Sequence, residues 1–363
     1  MHDWRIPFLA ISSWVVLGCG VARSQASCAY ADSVRLAYHI PELAYAVVTA
    51  GGVIDMQTLG NQRQQPGYPA KPTDRFHLGS NTKAITALLA AELVEAGKIS
   101  WDTPFFALFP ELQSASRRGY RAIALRQLLT FRAGLPAYTY TFASPSPDEL
   151  TGDEAAQRLA LARYFLAQPP MRRQAHGLTP SNADYVLAGL MLEKATGRSY
   201  QDLVTAWGQA HGIAFGFGYP NLTDPAQPWG HNPAGEPLPP VPNPKLSWLL
   251  SAGNINVSLP DYVKFVQLQL RGLRGEEAGL PAATVHELLF GLPVFAYGWF
   301  NRLEADTQHH VAYNEGNAGA FITRVQVIQE ADRAYILFAN SATPETAAGL
   351  TMLQAYLQRR YGR

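Results

Sequence analysis

The 363-residue chain has only two cysteines, Cys19 and Cys28. Two cysteines at this spacing make no metal site. The N-terminal reading below either removes Cys19 or lipidates it, so no disulfide is expected in the mature chain. Charge is equally scarce. Asp, Glu, Lys and Arg make up 16% of the residues, the formal net charge is +1, and neither sign forms a run. This argues against nucleic acid as a partner and against a strongly charged surface. Internal repeats and low-complexity tracts are also missing. What is present is 47% hydrophobic residues, spread along a chain long enough for a large core. That composition is globular, built as one big domain or two intimately joined ones.

Residues 1–26 read as an export signal. "MHDWR" is a short, weakly positive start and "IPFLAISSWVVLG" an apolar middle. "SQA" supplies a small-x-small cleavage site after Ala26. The apolar stretch is too short and too poorly flanked for a membrane span. The alternative is a lipoprotein signal, "VLGC", with a lipid anchor on Cys19. Leu17 is not the usual residue in that signal, which favours simple export to the periplasm or medium. Cleavage after Ala26 would remove Arg5, Arg23 and Asp3 and leave a net charge of zero.

Along the mature chain, "LAYAVVTA", a Gly51-Gly52 turn and "VIDMQTLG" predict a β-hairpin. Helices are predicted over "SNTKAITALLAAELVEAG", within "RAIALRQLLTFRAGLP", and over "TGDEAAQRLALARYFLAQPP" with Thr151 and Glu154 as a capping box. "SNADYVLAGLMLEKATG", "LPDYVKFVQLQLRG" and "ETAAGLTMLQAYLQRRY" predict three more. Residues 218–244, rich in Pro, Gly and Asn, predict a long surface excursion. Strands return in "YGWFNRL", "HHVAYNEG", "AFITRVQVIQ" and "RAYILFAN". Strands at both ends with helices between point to one sheet shared by the termini, plus a helical insertion.

In "FHLGSNTKAITALLAAELVEAGK", Ser80 and Lys83 fall one turn apart at a helix N-terminus. A bare Ser-x-x-Lys more often marks a helix cap than a catalytic pair. The wider pattern changes that reading. "FHLGSNTKAITALLAAELVEAGKISWDTP", "LRQLLTFRAGLP", "SNADYVLAGLMLEKATGRSYQDLV", "SAGNINVSLPDY", "YGW" and "AYILFANS" follow one another in order. Over residues 40–358 this series resembles the serine β-lactamase and penicillin-binding protein family, in its class C-like esterase and D-alanyl-D-alanine carboxypeptidase branch.

The resemblance implies an α/β (α+β) fold: an antiparallel sheet flanked by helices, plus a mostly helical lobe. The domain would span 27–363, with a sheet lobe from 34–105 and 290–363 and a helical lobe over 106–289. It also implies that Ser80 is the nucleophile and Lys83 its base. A hydroxyl needs such a base, and a desolvated lysine can supply one. The helix N-terminus favours a developing oxyanion, and the backbone N–H of Asn317 would add a second donor.

Two motifs depart from the family's pattern. "TPSN" keeps Asn182 but puts Pro180 in the position of the family's tyrosine. "YNEG" puts Asn314, Glu315 and Gly316 where the family has Lys-Thr-Gly or His-x-Gly. Asn314 can hydrogen-bond but carries no charge. Glu315 would repel a carboxylate held nearby by about 1–4 kcal/mol; even if strand alternation turned it away, the attracting cation would still be missing.

Two functions remain open on the sequence. One is an exported serine hydrolase forming an acyl-Ser80 intermediate, acting on neutral esters, amides or peptide-like small molecules and poorly on β-lactams. The other is a catalytically impaired pseudoenzyme or ligand-binding module of the same fold. Neither calls for a cofactor. His309-His310 has no third ligand placed by spacing, so a turn is the expected role and no metal is implied. Tyr138 and Tyr140, in "GLPAYTYTF", border the site by resemblance and are expected to pack or line its rim. Tyr185 is expected in helix core, and His176 and Ser181 in surface and turn roles.

Overall fold

A computed structural model describes residues 14–64, 67–172 and 175–362, with side chains from Ser24 onward. The predicted hairpin is present. Strand β1 (Glu42–Thr49) pairs antiparallel with β2 (Gly52–Gly60) across the Gly51-Gly52 turn. Strands β6 (Phe300–Leu303), β7 (His310–Asn317), β8 (Ile322–Ile328) and β9 (Arg333–Ala339) come from the other end of the chain. Together they form one six-stranded antiparallel sheet in the order β2-β1-β9-β8-β7-β6. The termini share this sheet because β1 pairs with β9, Leu43 opposite Ala339 through Val48 opposite Ala334.

Both faces of the sheet centre are covered, so its central strands are apolar at nearly every position. Alternate residues serve alternate faces. Leu43, Tyr45 and Val47 on β1, with Tyr335 and Leu337 on β9, pack against helices α1 (Trp14–Ala37) and α12 (Pro344–Tyr361). Ala44, Ala46, Val48, Ile336 and Phe338 face the main core and α10 (Leu259–Leu273).

The expected helical lobe contains α3 (Phe105–Leu108), α4 (Leu125–Leu129), α5 (Glu154–Ala167), α6 (Asn182–Thr196), α7 (Tyr200–Ala210), α8 (Pro244–Trp248) and α9 (Leu250–Gly253). The helix α2 (Thr82–Glu95) runs between this lobe and the sheet. The lobe boundary differs from the expected 106–289. Helix α10 packs on β1 and β9, and α11 (Ala282–Phe290) packs on α10, β6 and β7. Their apolar faces complete the sheet lobe's core, a contact no local pattern announces. A second, three-stranded sheet of β3 (Arg75–His77), β5 (Ile255–Ser258) and β4 (Gly216–Phe217) ties the strand before Ser80 to the helical segment.

Two local expectations also shift. The cap of α5 is Asp153, whose carboxylate accepts from the Ala156 N–H, and not Thr151. In "RAIALRQLLTFRAGLP" only Leu125–Leu129 is helical. The excursion over 218–244 carries only the short turn Pro220–Leu222 before α8.

Half of the expected export signal, residues 1–13, lies outside the described residues, as does the Cys19 side chain. The expected cleavage point after Ala26 falls inside α1, where Ser24 donates to Asp55 at 2.8 Å. Among the described residues, no helix is long and apolar enough to cross a membrane.

Candidate active site

The site is assembled where the β3–α2 junction meets β7 and the start of α6. The chain leaves β3, makes a tight turn at Gly79–Asn81 and enters α2. Among the described residues, six other helices begin with a side-chain cap, from Asp153, Ser181, Ser199, Asn243, Ser258 and Thr343. The turn holding Ser80 and the start of α2 have none. The Ser80 hydroxyl is directed elsewhere: Lys83 Nζ lies 2.9 Å from its Oγ.

Lys83 Nζ has two further acceptors, Asn182 Oδ1 at 2.8 Å and the Ala252 carbonyl at 2.7 Å. Three acceptors match the three protons of an ammonium. In the neutral amine, two protons go to Asn182 and Ala252 and the lone pair faces Ser80. Burial pulls the Lys83 pKa down to about 7, against an opposing pull from the Asp184 carboxylate. The Tyr185 ring lies 5.5 Å from Nζ, with its own hydroxyl donating to the Leu129 carbonyl.

The orientation of Asn182 is held at both ends. Its Nδ2 donates to the Tyr138 carbonyl at 2.9 Å, leaving Oδ1 aimed at Lys83. It opens α6, capped by Ser181, whose Oγ accepts from the Ala183 N–H and donates to the Pro136 carbonyl. Pro180 stands exposed on the cleft wall and offers no proton-carrying group.

On the opposite side, β7 runs against the Ser80 turn in very close contact. A Cβ on Gly316 would stand 1.8 Å from the Leu78 carbonyl, and one on Gly79 would stand 2.6 Å from the Asn317 nitrogen. The backbone N–H of Asn317 is therefore beside the Ser80 turn. Its side chain is occupied in the next turn, accepting from Gly319 N–H.

Two candidate residues, Asn314 and Glu315, sit differently from their expected roles. Asn314 is buried, and its Nδ2 donates to the carbonyls of Gly298 at 2.7 Å and Ser80 at 3.3 Å. It braces the Ser80 turn, with both amide protons engaged. Glu315 borders the cleft, but its carboxylate pairs with Arg324, directly across on β8, at 2.5 Å. Arg324 also reaches Thr351 on α12, so this pair lies on the far face of the sheet. Strand alternation turns Glu315 away and neutralises it, and the expected repulsion of carboxylates by this residue falls. Tyr138 offers the site its carbonyl and ring. Its hydroxyl is buried with no hydrogen-bond partner among the described residues, and burial pushes it up to about 12.

Two residues missed by the sequence reading support the site. His77 is fully buried on β3. Its Nδ1 accepts from the Gly79 N–H at 3.2 Å, and its Nε2 is 3.0 Å from Asn254 Oδ1. Burial pulls its pKa down to about 4, so the ring is neutral and holds the backbone of the Ser80 turn. Asp184, two residues after Asn182, is wholly buried, both oxygens lack a partner among the described residues, and burial pushes its carboxyl well up. A polar residue inside an apolar run was the available signal for each. Elsewhere, His310 pairs with Glu330 at the opposite end of β7, away from Ser80.

Comparison with known proteins places these features in a wider setting. The β-lactamase family pattern matches residues 25–358. The chain is 24% identical over 352 residues to an unguisins hydrolase of Aspergillus campestris, covering 89% of this chain. It spans only 62% of that relative's length. Its fold resembles a class C β-lactamase from Rhodobacter sphaeroides (TM-score 0.71, 19% identity), covering 92% of this chain and 99% of that one. It likewise resembles the D-amino acid amidase from Ochrobactrum anthropi (TM-score 0.72, 20% identity, 93% and 99% covered).

Proposed function

The chain belongs to the β-lactamase family, a family of serine hydrolases, and we propose that it hydrolyses neutral esters or amides through an acyl-Ser80 intermediate. The observation that carries this reading is the Lys83 Nζ to Ser80 Oγ contact of 2.9 Å, made by a lysine whose pKa is near 7.

In the forward step, neutral Lys83 takes the Ser80 proton as Oγ attacks the substrate carbonyl carbon. The oxyanion is stabilised by the backbone N–H groups of Ser80 and Asn317. Lys83 then returns its proton to the departing alcohol or amine, leaving the acyl group on Ser80. Water enters by the same route, with Lys83 as base, and releases the acid. Pro180 supplies no second acid, a loss that costs about 10²–10⁴ in rate. Good leaving groups suffer least, because they depart without a proton. The relative named as an unguisins hydrolase and the amidase of like fold support acyl transfer from an amide or ester. Export through residues 1–26, with or without lipid on Cys19, belongs to the same proposal and rests on the apolar stretch there.

The preference for neutral substrates rests on the cleft wall. Among the described residues lining it, Lys83 is the sole basic side chain, and its three hydrogen bonds are already committed. A substrate carboxylate would find no free cation there. Intact-mass measurement after a fluorophosphonate is expected to show one adduct, on Ser80. The kcat/KM for p-nitrophenyl butyrate is expected to exceed that for nitrocefin by about 100-fold or more, roughly two lost charge-assisted contacts. Equal handling of nitrocefin overturns the neutral-substrate preference. No adduct and no ester turnover overturns the hydrolase and leaves a ligand-binding module.

The pH dependence follows from Lys83. The working base is the neutral amine, so a depressed pKa makes it available near neutrality. The kcat/KM is expected to rise with pH through about 7 and level off above. Below pH 6 it falls about tenfold per unit as the amine protonates. A profile still rising beyond pH 9 would mean that Lys83 keeps an ordinary pKa and is not the base.

A further inference from the structure

We propose that the cleft beside Ser80 is built to receive an aromatic ring on the substrate, within two or three bonds of the scissile carbonyl; this rests on the hydrolase reading above for its use in turnover. The cavity has a volume of about 360 Å³, and five aromatic side chains line it. On one side Phe131 stacks on Phe295 (centroids 4.3 Å apart, 24° between planes), and Phe295 meets Phe300 edge-on at 4.8 Å. On the other, Tyr138 and Phe142 meet at 5.9 Å and 73°. Apart from the polar groups at its Ser80 end, such a cleft gives water few partners, while a ring can pack against it edge-on or stacked. An apolar cavity of about 150 Å³ holds benzene, so this one has room for a ring and a short linker reaching Ser80.

Two further features single out this wall. Phe131 has φ +57°, a left-handed backbone that a bulky aromatic residue rarely adopts. Thr179 holds it there: its N–H donates to the Phe131 carbonyl at 2.8 Å, while its Oγ1 accepts from the Gly134 N–H. Backbone strain of this kind persists where surrounding contacts impose it, and it concentrates at ligand sites. At the mouth, Phe142 leaves 44% of its surface exposed, an apolar area that a bound ring would cover.

The test separates binding from turnover by using the Ser80→Ala protein and calorimetric titration with neutral amides. A ring in the acyl part is probed by 3-phenylpropionamide, a ring in the leaving part by N-benzylacetamide, and butyramide serves as the ringless reference. Binding about 10- to 100-fold tighter than butyramide is expected for one of the two, as burial of a ring's surface implies. The winning arm identifies the side of the carbonyl that carries the ring. Phe142→Ala, at the exposed rim where folding is least at risk, is expected to cut that preference about fivefold or more, and Phe131→Leu to do the same if it folds.

Equal affinity for all three amides overturns the proposal, including when the parent protein forms its Ser80 adduct and hydrolyses esters normally. Ring preference in Ser80→Ala, together with a parent that forms no adduct, upholds this site and overturns the hydrolase. A ring preference unchanged by Phe142→Ala and by Phe131→Leu, with both variants folded by circular dichroism, also overturns it.

Discussion

Ser80→Ala and Lys83→Met are each expected to lower kcat/KM for p-nitrophenyl butyrate by about 10⁴-fold or more, and the double variant to do no worse than either alone. The two side chains act as one unit, because the hydroxyl is a nucleophile only while a base accepts its proton. In this protein Lys83 is the base within reach: its Nζ is 2.9 Å from Ser80 Oγ, and Pro180 brings no phenol. Methionine keeps the length and volume of the lysine stem, so the loss is chemical and not a cavity effect. It does leave Asn182 Oδ1 and the Ala252 carbonyl without their partner, and loss of those bonds lowers stability by about 1–3 kcal/mol. Removal of a buried cation offsets part of this, since that cation is itself poorly solvated. Initial-rate assays with adduct mass on each variant decide the matter. A Lys83→Met enzyme that keeps a tenth of parental activity would place the base elsewhere. If single losses multiply in the double variant, the two groups are not one unit.

Gly316→Ala is the second large effect. Its Cβ would stand 1.8 Å from the Leu78 carbonyl oxygen and 2.7 Å from Thr323 Oγ1, both inside contact distance. Neither neighbour is free to move. The Leu78 carbonyl accepts from Thr323 Oγ1 at 2.8 Å and from the Asn81 N–H at 3.2 Å, so it is part of the turn holding Ser80. Relief requires β7 and that turn to separate, which takes the Asn317 N–H away from the nucleophile. Loss of one oxyanion donor costs about 10²–10³ in rate. Overpacking costs about 1–3 kcal/mol besides, or roughly 1–4 °C in Tm for a chain of this length. Gly52→Ala is the control, because its Cβ would meet nothing within 4 Å, and activity there is expected to stay at the parental level. The comparison needs rates and Tm for both variants. A Gly316→Ala protein with parental kcat/KM would show that the β7 contact does not position the oxyanion site.

The sequence carried the parts of this site that depend on neighbours in the chain. Ser80 and Lys83 are three residues apart at the start of a helix, so their proximity follows from helical geometry alone. The strands of the sheet were legible because their apolar residues are continuous or alternate, and α6 because Gly197 stops it in a left-handed cap. Where local signals competed, the reading slipped. Thr151 and Asp153 both precede α5, and the nearer acid took the cap. The segment around Leu125–Leu129 has the apolar content of a longer helix, but Phe131 leaves helical geometry to line the cleft.

The β1–β2 hairpin, the one-turn spacing of Ser80 and Lys83 and the proline at 180 were thus determined by the sequence itself, because each is a property of a few consecutive residues. The direction of Glu315, the bracing role of Asn314, the neutral His77 beneath the turn and the lowered pKa of Lys83 were decided only by the tertiary structure. Each depends on groups far away in the chain: Arg324 across the sheet, Gly298 before β6, Asn254 after α9, and the core that strips water from Lys83. The aromatic cleft is the clearest case. Phe131, Phe142, Phe295 and Phe300 come from separate loops and a strand edge, and no spacing in the chain relates them. Desolvation and ring packing act through space, so their consequences exist only once the lobes have closed around them.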